Sequence, residues 1–198
     1  MSSSPRLPRR SREERERIVL DAAAELFYAR GVHEVGMDEL VEHSGLGKAT
    51  VYRLYSTKDQ LIGAYLERTH VGIMEAIDTD IVNSDGPASA LRRIVQSIWE
   101  HVNSPGFRGC PFNNASIEFD DAEHPARAMA RRHRTRLCDR LVNVADRLDP
   151  ERGAEIGERL AVVIDGIYLN AAHLGPSGPA ASGHRLALAL IDELERGA

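Results

Sequence analysis

Cysteine is almost missing: the 198 residues hold two, Cys110 and Cys138. Neither belongs to a Cys-x-x-Cys pair or to a cluster of ligands, so a disulfide framework and a structural zinc site are excluded and two reduced thiols are expected. Aromatic residues make up 5%, and Val-Ile-Thr alternation is hard to find, which argues against a sheet. No run approaches the roughly 18 uncharged apolar residues of a membrane span. Met1 to Arg12 lacks the apolar centre of a signal peptide, so a cytoplasmic protein is expected. There is no Gly-rich phosphate loop and no Gly-x-Ser-x-Gly nucleophile elbow. A di-iron centre in a helical bundle needs two Glu-x-x-His pairs and further carboxylates. Only Glu67-x-x-His70 fits, with Asp121-x-x-His124 a poor second, so no catalytic residue, metal or cofactor is expected.

What the chain does have is 42% hydrophobic and 28% charged residues, with Ala, Leu, Arg and Glu recurring at helical spacing. The fold class is all-α, about nine helices. Charge is uneven. Residues 1–58 hold 10 Lys and Arg against 9 Asp and Glu, and the rest hold 15 against 21, for a net charge of −5. A basic, Ser- and Pro-rich arm over residues 1–11, expected to be disordered, suits phosphate or minor-groove contact, or serves only as a solubilising tail. The first helix starts at Ser11 or Arg12, where Ser11 and Glu14 form a capping box, carries Ile18, Val19, Ala22, Ala23, Leu26 and Phe27, and closes at Gly31. Two short helices follow, about Met37 to Ser44 and Lys48 to Tyr55. Only Gly45-Leu46-Gly47 separates them, which is the spacing of a helix-turn-helix. Val51 and Tyr55 face inward. Lys48, Ala49, Thr50, Tyr52 and Arg53 face out.

Ser56 and Thr57 cap a long fourth helix. Later helices are expected from Pro87 to Val102, Asn113 to Phe119, after Pro125 to about Leu148, from Pro150 to about His173 behind an Asp149 cap, and from Ser182 to Arg196. The domain boundaries drawn from this pattern are residues 12–58 for the helix-turn-helix and 59–198 for the helical bundle.

Residues 31–61 read Gly-Val-x(3)-Gly-Met-Asp-Glu-Leu-Val-x(3)-Gly-Leu-Gly-Lys-Ala-Thr-Val-Tyr-Arg-Leu-Tyr-x(2)-Lys-Asp-x-Leu. This pattern resembles the DNA-binding signature of the TetR/AcrR family of transcriptional repressors, over roughly residues 12–62. The stretch from Cys110 to Phe119 is similar to one in some members' effector domains. The resemblance implies a three-helix DNA-binding domain and a bundle that dimerises and senses a small molecule. A recognition helix fits the major groove, where Lys and Arg donate to guanine and a Thr methyl meets the thymine methyl. Base reading is therefore expected from Lys48, Thr50 and Arg53, with Ala49 beside them and phosphate contacts from Tyr52 and Lys58. Gly36 and Gly47 stand where the family usually has Ser or Thr, so the second and third helices lack a side-chain cap and one usual phosphate contact is in doubt. Leu54 replaces a polar or aromatic residue.

The resemblance also implies a near-palindromic operator bound by a homodimer. Its interface is expected at Ile156, Leu160, Val163, Ile164, Ile167, Leu186, Leu190, Ile191 and Leu194 of the last two helices. An effector pocket is expected among Tyr65, Trp99, Phe107, Phe112, Asn113, Asn114, Phe119 and Tyr168, with the ligand releasing the protein from DNA. A rival redox reading rests on Cys110 or Cys138, with Arg108 near Cys110 placed to lower that thiol's pKa. Membrane-surface binding through the arginine arm is weaker, because Leu7 is the arm's one apolar anchor.

Overall fold

The computed structural model describes residues 10–197, so most of the expected N-terminal arm lies outside the described residues. Among them are nine helices and no strand, divided into two compact units that meet in sequence at Tyr65 and Leu66.

The first unit comprises α1 (Arg12–Arg30), α2 (Met37–Ser44), α3 (Lys48–Leu54) and the start of α4 (Lys58–Val82). Local chemistry sets its boundaries. Ser11 Oγ accepts the Glu14 N–H at 3.0 Å, satisfying one of the donors left over at the start of α1. At the other end Gly31 takes φ 94° and returns its N–H to Phe27 O at 2.9 Å. Gly45 adopts the left-handed conformation at φ 63°, which lets the chain reverse between α2 and α3 within three residues. Thr57 Oγ1 accepts the Gln60 N–H at 3.2 Å, while Gln60 Oε1 accepts from the Ser56 N–H and hydroxyl, a reciprocal cap on α4. The buried residues are Val19, Ala22, Ala23, Phe27, Val32, Val35, Leu40, Val51, Leu61, Ile62 and Tyr65, with the Phe27 and Tyr65 rings 5.7 Å apart. Burial of each large side chain stabilises by about 1.5–3 kcal/mol, whereas the exposed pairs Arg30–Glu39 and His43–Glu25 add about 0–1 kcal/mol each.

The second unit contains the rest of α4, then α5 (Pro87–Val102), α6 (Pro111–Ser116), α7 (Pro125–Asp146), α8 (Gly153–Leu174) and α9 (Pro179–Gly197). Its core joins Met74 and Ile77 of α4, Leu91 and Ile94 of α5, Leu141 and Val144 of α7, Ile156, Leu160 and Ile164 of α8, and Ile191 and Leu194 of α9. A smaller cluster of Val102, Ile167, Ala171 and Ala180 packs against Trp99 and Phe107.

Three helix starts differ from the sequence reading. Pro111 opens α6, which ends at Ser116 rather than Phe119, and Pro179 opens α9 three residues before Ser182. Both prolines stand at a first-turn position, where a missing N–H costs nothing, rather than marking a loop. The third difference is at α8. Asp149 Oδ1 accepts the N–H groups of Glu151 and Arg152 at 2.9 and 3.2 Å, so it caps an isolated turn and the helix proper begins at Gly153. Pro150 is therefore not its first residue.

Candidate functional site

Helix α3 is seven residues long and held from one side. Val51 is fully buried, Thr50, Leu54 and Tyr55 are half-buried, and Lys48, Ala49, Tyr52 and Arg53 are exposed. This follows from the spacing: one apolar residue roots the helix, and the positions two and three before it and one and two after it point away. Gly47 caps α3 with φ −64° and no side-chain oxygen, and Gly36 does the same for α2 at φ −85°. A Cβ at either glycine would meet nothing within 4 Å.

Lys48 Nζ lies 2.7 Å from Asp38 Oδ1 of α2 and 5.6 Å from the Tyr52 ring centroid. The hydrogen bond from Lys48 to Asp38 raises the lysine's pKa. This cross-helix partner was not singled out from the sequence. Because the Lys48 and Asp38 side chains are 63% and 75% exposed, the pair is readily exchanged for another anion. Lys58, at the start of α4, is half-buried and donates to His33 O at 3.2 Å, bracing the turn between α1 and α2. The surface formed by Lys48, Thr50, Tyr52 and Arg53 can donate to acceptors, contact an apolar methyl and follow an anionic backbone.

The residues expected to line one effector pocket fall into separate places. Tyr65 is in the core of the first unit, beside Phe27. Trp99 stacks on His184 with centroids 4.7 Å apart, while Phe107 and Tyr168 meet at 5.7 Å with His101 against both. Phe112 is fully buried and stacks on His133 at 3.8 Å. Asn113 Oδ1 accepts from Arg134, Asn114 Nδ2 donates to Arg108 O, and Phe119 stacks on His124. Tyr65 and Phe112 are closed into core packing, and the two asparagines serve as local braces.

Sequence reasoning missed the pair that holds Phe112. His70 Nδ1 and His133 Nδ1 are 3.1 Å apart in the interior, so one ring donates and the other accepts. Burial lowers the pKa of both, to about 4 for His133, with the neighbouring imidazole as the second cause there and Arg132 the second cause at His70. The only sequence signal was Glu67-x-x-His70, weighed as a metal motif. Glu67 instead accepts from Arg132 at 2.6 Å. At the other weighed motif, Asp121 Oδ1 accepts the Glu123 N–H and His124 Nδ1 accepts the Ala126 N–H, both as local caps. Burial pushes the Cys110 and Cys138 thiols up, away from the thiolate form that the redox reading needs, and for Cys110 this outweighs any help from nearby arginine.

The dimer assignment also changes at the residue level. Ile156, Leu160, Ile164, Ile167, Leu190, Ile191 and Leu194 are at most 8% exposed within this chain alone, because α5, α7, α8 and α9 cover one another with these side chains. They are intramolecular core. Val163 is half-buried, and Leu186 is 51% exposed. The outward apolar residues on α8 are Val162, Leu169 and, at its last position, Leu174.

The comparisons with known proteins agree with this architecture. Residues 19–65 match the family described as bacterial regulatory proteins, tetR family, and residues 87–173 match the tetracyclin repressor-like C-terminal domain. The chain is 28% identical over 169 residues to the HTH-type transcriptional repressor Rv3405c of Mycobacterium tuberculosis, covering 82% of this chain and 76% of that one. It is 36% identical over 110 residues to the HTH-type transcriptional activator FasR of Mycolicibacterium smegmatis, where the match spans 52% of this chain and only 47% of the relative. Among solved structures, SCO4454, a TetR-family regulator from Streptomyces coelicolor, superposes with a TM-score of 0.83 at 29% identity, over 93% of this chain and 96% of that chain. No described helix is long and apolar enough to cross a membrane. With both halves matched in order, the chain belongs to the TetR family and is a DNA-binding transcriptional regulator, not an enzyme.

Proposed function

We propose that the protein is a cytoplasmic repressor that binds a near-palindromic operator as a homodimer and leaves it when a small-molecule effector binds. The observation that carries the DNA half is α3: Val51 anchors it and Lys48, Tyr52 and Arg53 stand outside. Lys48 and Arg53 read guanine edges, the Thr50 methyl meets thymine, and Tyr52 and Lys58 hold phosphates, with Lys58 leaving its carbonyl partner to do so. Ala49 and the bare glycines at positions 36 and 47 allow close backbone approach. The repressor sense is favoured because one of the relatives matched over most of its length, at 76%, is named a repressor.

One seven-residue helix covers few base pairs, so two copies about 34 to 36 Å apart are needed for specificity. The exposed stripe of Val162 and Leu169, 72% and 60% exposed and seven residues apart on α8, together with Leu186 of α9 and the half-buried Val163, supplies the two-fold contact. An effector lowers operator affinity by the difference in its affinity for the two dimer geometries, typically about 1–3 kcal/mol.

Selection of duplexes from a random pool, followed by titration at several salt concentrations, tests the DNA half. Binding falls steeply with salt, and Arg53→Ala weakens the selected operator roughly 5- to 150-fold while relaxing one position. Lys58→Ala weakens all sequences alike. Absence of any enriched sequence, or equal loss across operator variants for both mutants, contradicts the reading. Asp38→Asn removes the carboxylate that competes for Lys48, so affinity for any duplex rises about two- to threefold at low salt. An unchanged or lower affinity would show that Lys48 does not face DNA.

A further inference from the structure

We propose that the cleft between the end of α6 and the outer face of α7 binds a small organic carboxylate with an apolar body. Ser116 and Ile117 line one side and Arg127, Ala130, Arg131 and Arg134 the other, around a volume of about 260 Å³. Residues 127, 131 and 134 lie on one face of α7 by helical spacing, so three guanidinium groups share the cleft with an alanine between them. The volume is below the roughly 300–1,000 Å³ of sites for drug-sized ligands, which limits the guest to a small molecule.

Like charges are gathered here without full compensation. Elsewhere on α7, Arg132 pairs with Glu67 at 2.6 Å and Arg140 with Asp78 through two bonds at 2.7 and 3.0 Å. Arg127 is held instead by backbone oxygens, donating from Nη1 to Phe119 O at 3.0 Å and Asp120 O at 3.4 Å. Arg131 donates from Nη1 to Ala122 O at 2.7 Å, and its nearest carboxylate, Glu123, is 3.9 Å away and 88% exposed. Arg134 is the exception, bound to both Asp165 and Asn113. Neutral carbonyls fix the forks of Arg127 and Arg131 in place, leave their charge standing and leave further N–H donors free. That is the arrangement a carboxylate meets with two parallel, charge-assisted bonds.

The second observation is apolar. Ile117 is 80% exposed at the rim of the cleft, a large aliphatic side chain in contact with water. A ligand with a hydrocarbon body covers it, together with Ala130, while its carboxylate meets the arginines. A bare inorganic anion leaves Ile117 wet. The proposal deepens the effector reading and rests on it only for the regulatory consequence.

Titration calorimetry of the full chain without DNA tests the cleft, using hexanoate, the neutral hexanamide and inorganic phosphate as probes. Hexanoate binds one site per chain, and the other two bind at least about tenfold more weakly. Arg127→Gln combined with Arg131→Gln weakens hexanoate at least about tenfold, Ile117→Ser weakens it less, and Arg140→Gln leaves it unchanged. Arg127→Lys keeps the charge but loses the fork, and weakens binding with the fold undisturbed, as circular dichroism checks. Equal affinity for hexanamide, equal affinity for phosphate, an unaffected double variant, or no heat up to about 10 mM hexanoate would each overturn the proposal. Operator release is measured separately: hexanoate that binds the cleft but leaves the operator complex intact retains the site and removes the effector role from it.

Discussion

Replacing Gly157 by alanine lowers the stability of the folded chain by about 3 kcal/mol, although alanine is the better helix former. A Cβ built at Gly157 lies 2.6 Å from Val142 Cα and 2.7 Å from Val142 N, which are backbone atoms of α7 and cannot rotate aside. Gly153, one turn earlier, shows the same approach, with its Cβ 2.4 Å from Asp146 N. The α7–α8 contact is therefore set by two glycines four residues apart, and any side chain there must push the helices apart through the core of Leu141, Val144, Ile156 and Leu160. The gain of roughly 1 kcal/mol in helix propensity offsets only part of an overpacking cost of about 4 kcal/mol, which exceeds the usual range of about 1–3 kcal/mol because backbone is the obstacle. For a chain of this length the loss shifts the midpoint of thermal unfolding by roughly 6–12 °C. Gly72, in the exposed middle of α4 with nothing within 4 Å of its Cβ position, gives the opposite sign. Gly72→Ala stabilises by about 1 kcal/mol. Both are read from denaturant unfolding at one fixed protein concentration, because the proposed dimer would make stability depend on concentration. A Gly157→Ala variant as stable as the parent would mean that α7 and α8 are not in this contact.

Why so much of the fold was legible is clear from the same helices. The 3.6-residue spacing of Leu91, Ile94, Val95 and Ile98 defines α5, and Ser11 with Glu14 marks the start of α1 by chemistry confined to four residues. Helix starts at Pro111 and Pro179 were less legible, because a proline reads equally as a loop or as a first-turn residue until its neighbours are placed. The apolar face of α8 posed a harder problem. Ile156, Leu160 and Ile164 announce that something covers them, but periodicity does not say whether the cover is this chain or another copy. Here it is this chain, and the outward residues Val162 and Leu169 were passed over because they interrupt the same stripe.

At the candidate site, α3 was legible because Gly45 and Gly47 set it off from α2 and Val51 divides its two faces. Contacts between helices were not. Asp38 with Lys48, and His70 with His133, are 10 and 63 residues apart, and no local pattern brings either pair together. The arginines of α7 were visible as residues, yet an alternation of charge reads first as a solvated surface. Only the backbone carbonyls of Phe119, Asp120 and Ala122 show that two of them are fixed without a close carboxylate.

The largest pH effect follows from the buried histidine pair. His133 is 6% exposed, and its pKa is lowered from 6.5 to about 4, first by burial and then by His70 and Arg134. His70, facing Glu67 and Arg132 as well as His133, moves in the same direction. The unfolded chain takes up a proton at His133 below pH 6.5, whereas the folded chain resists until about pH 4. Between those values the unfolded state binds more protons, so stability is complete above pH 6.5, falls as pH drops through the window and levels off below it. The full shift corresponds to about 3 kcal/mol, of which about 2 kcal/mol is lost between pH 7 and pH 5, before most carboxylates titrate. The hydrogen bond gives the shift a structural reason: with a proton on both Nδ1 atoms neither ring accepts, and the bond at 3.1 Å becomes a contact between two donors beneath Phe112. His133→Gln keeps an amide that can donate or accept but removes the titration. Its urea-unfolding free energy is lower at pH 7 but changes by about 2 kcal/mol less than that of the parent chain between pH 7 and pH 5. The slope, not the absolute stability, is the readout. Equal slopes for variant and parent would show that His133 is protonated in the fold or open to water, and the neutral pair would be lost as an explanation of how the interior around Phe112 is closed.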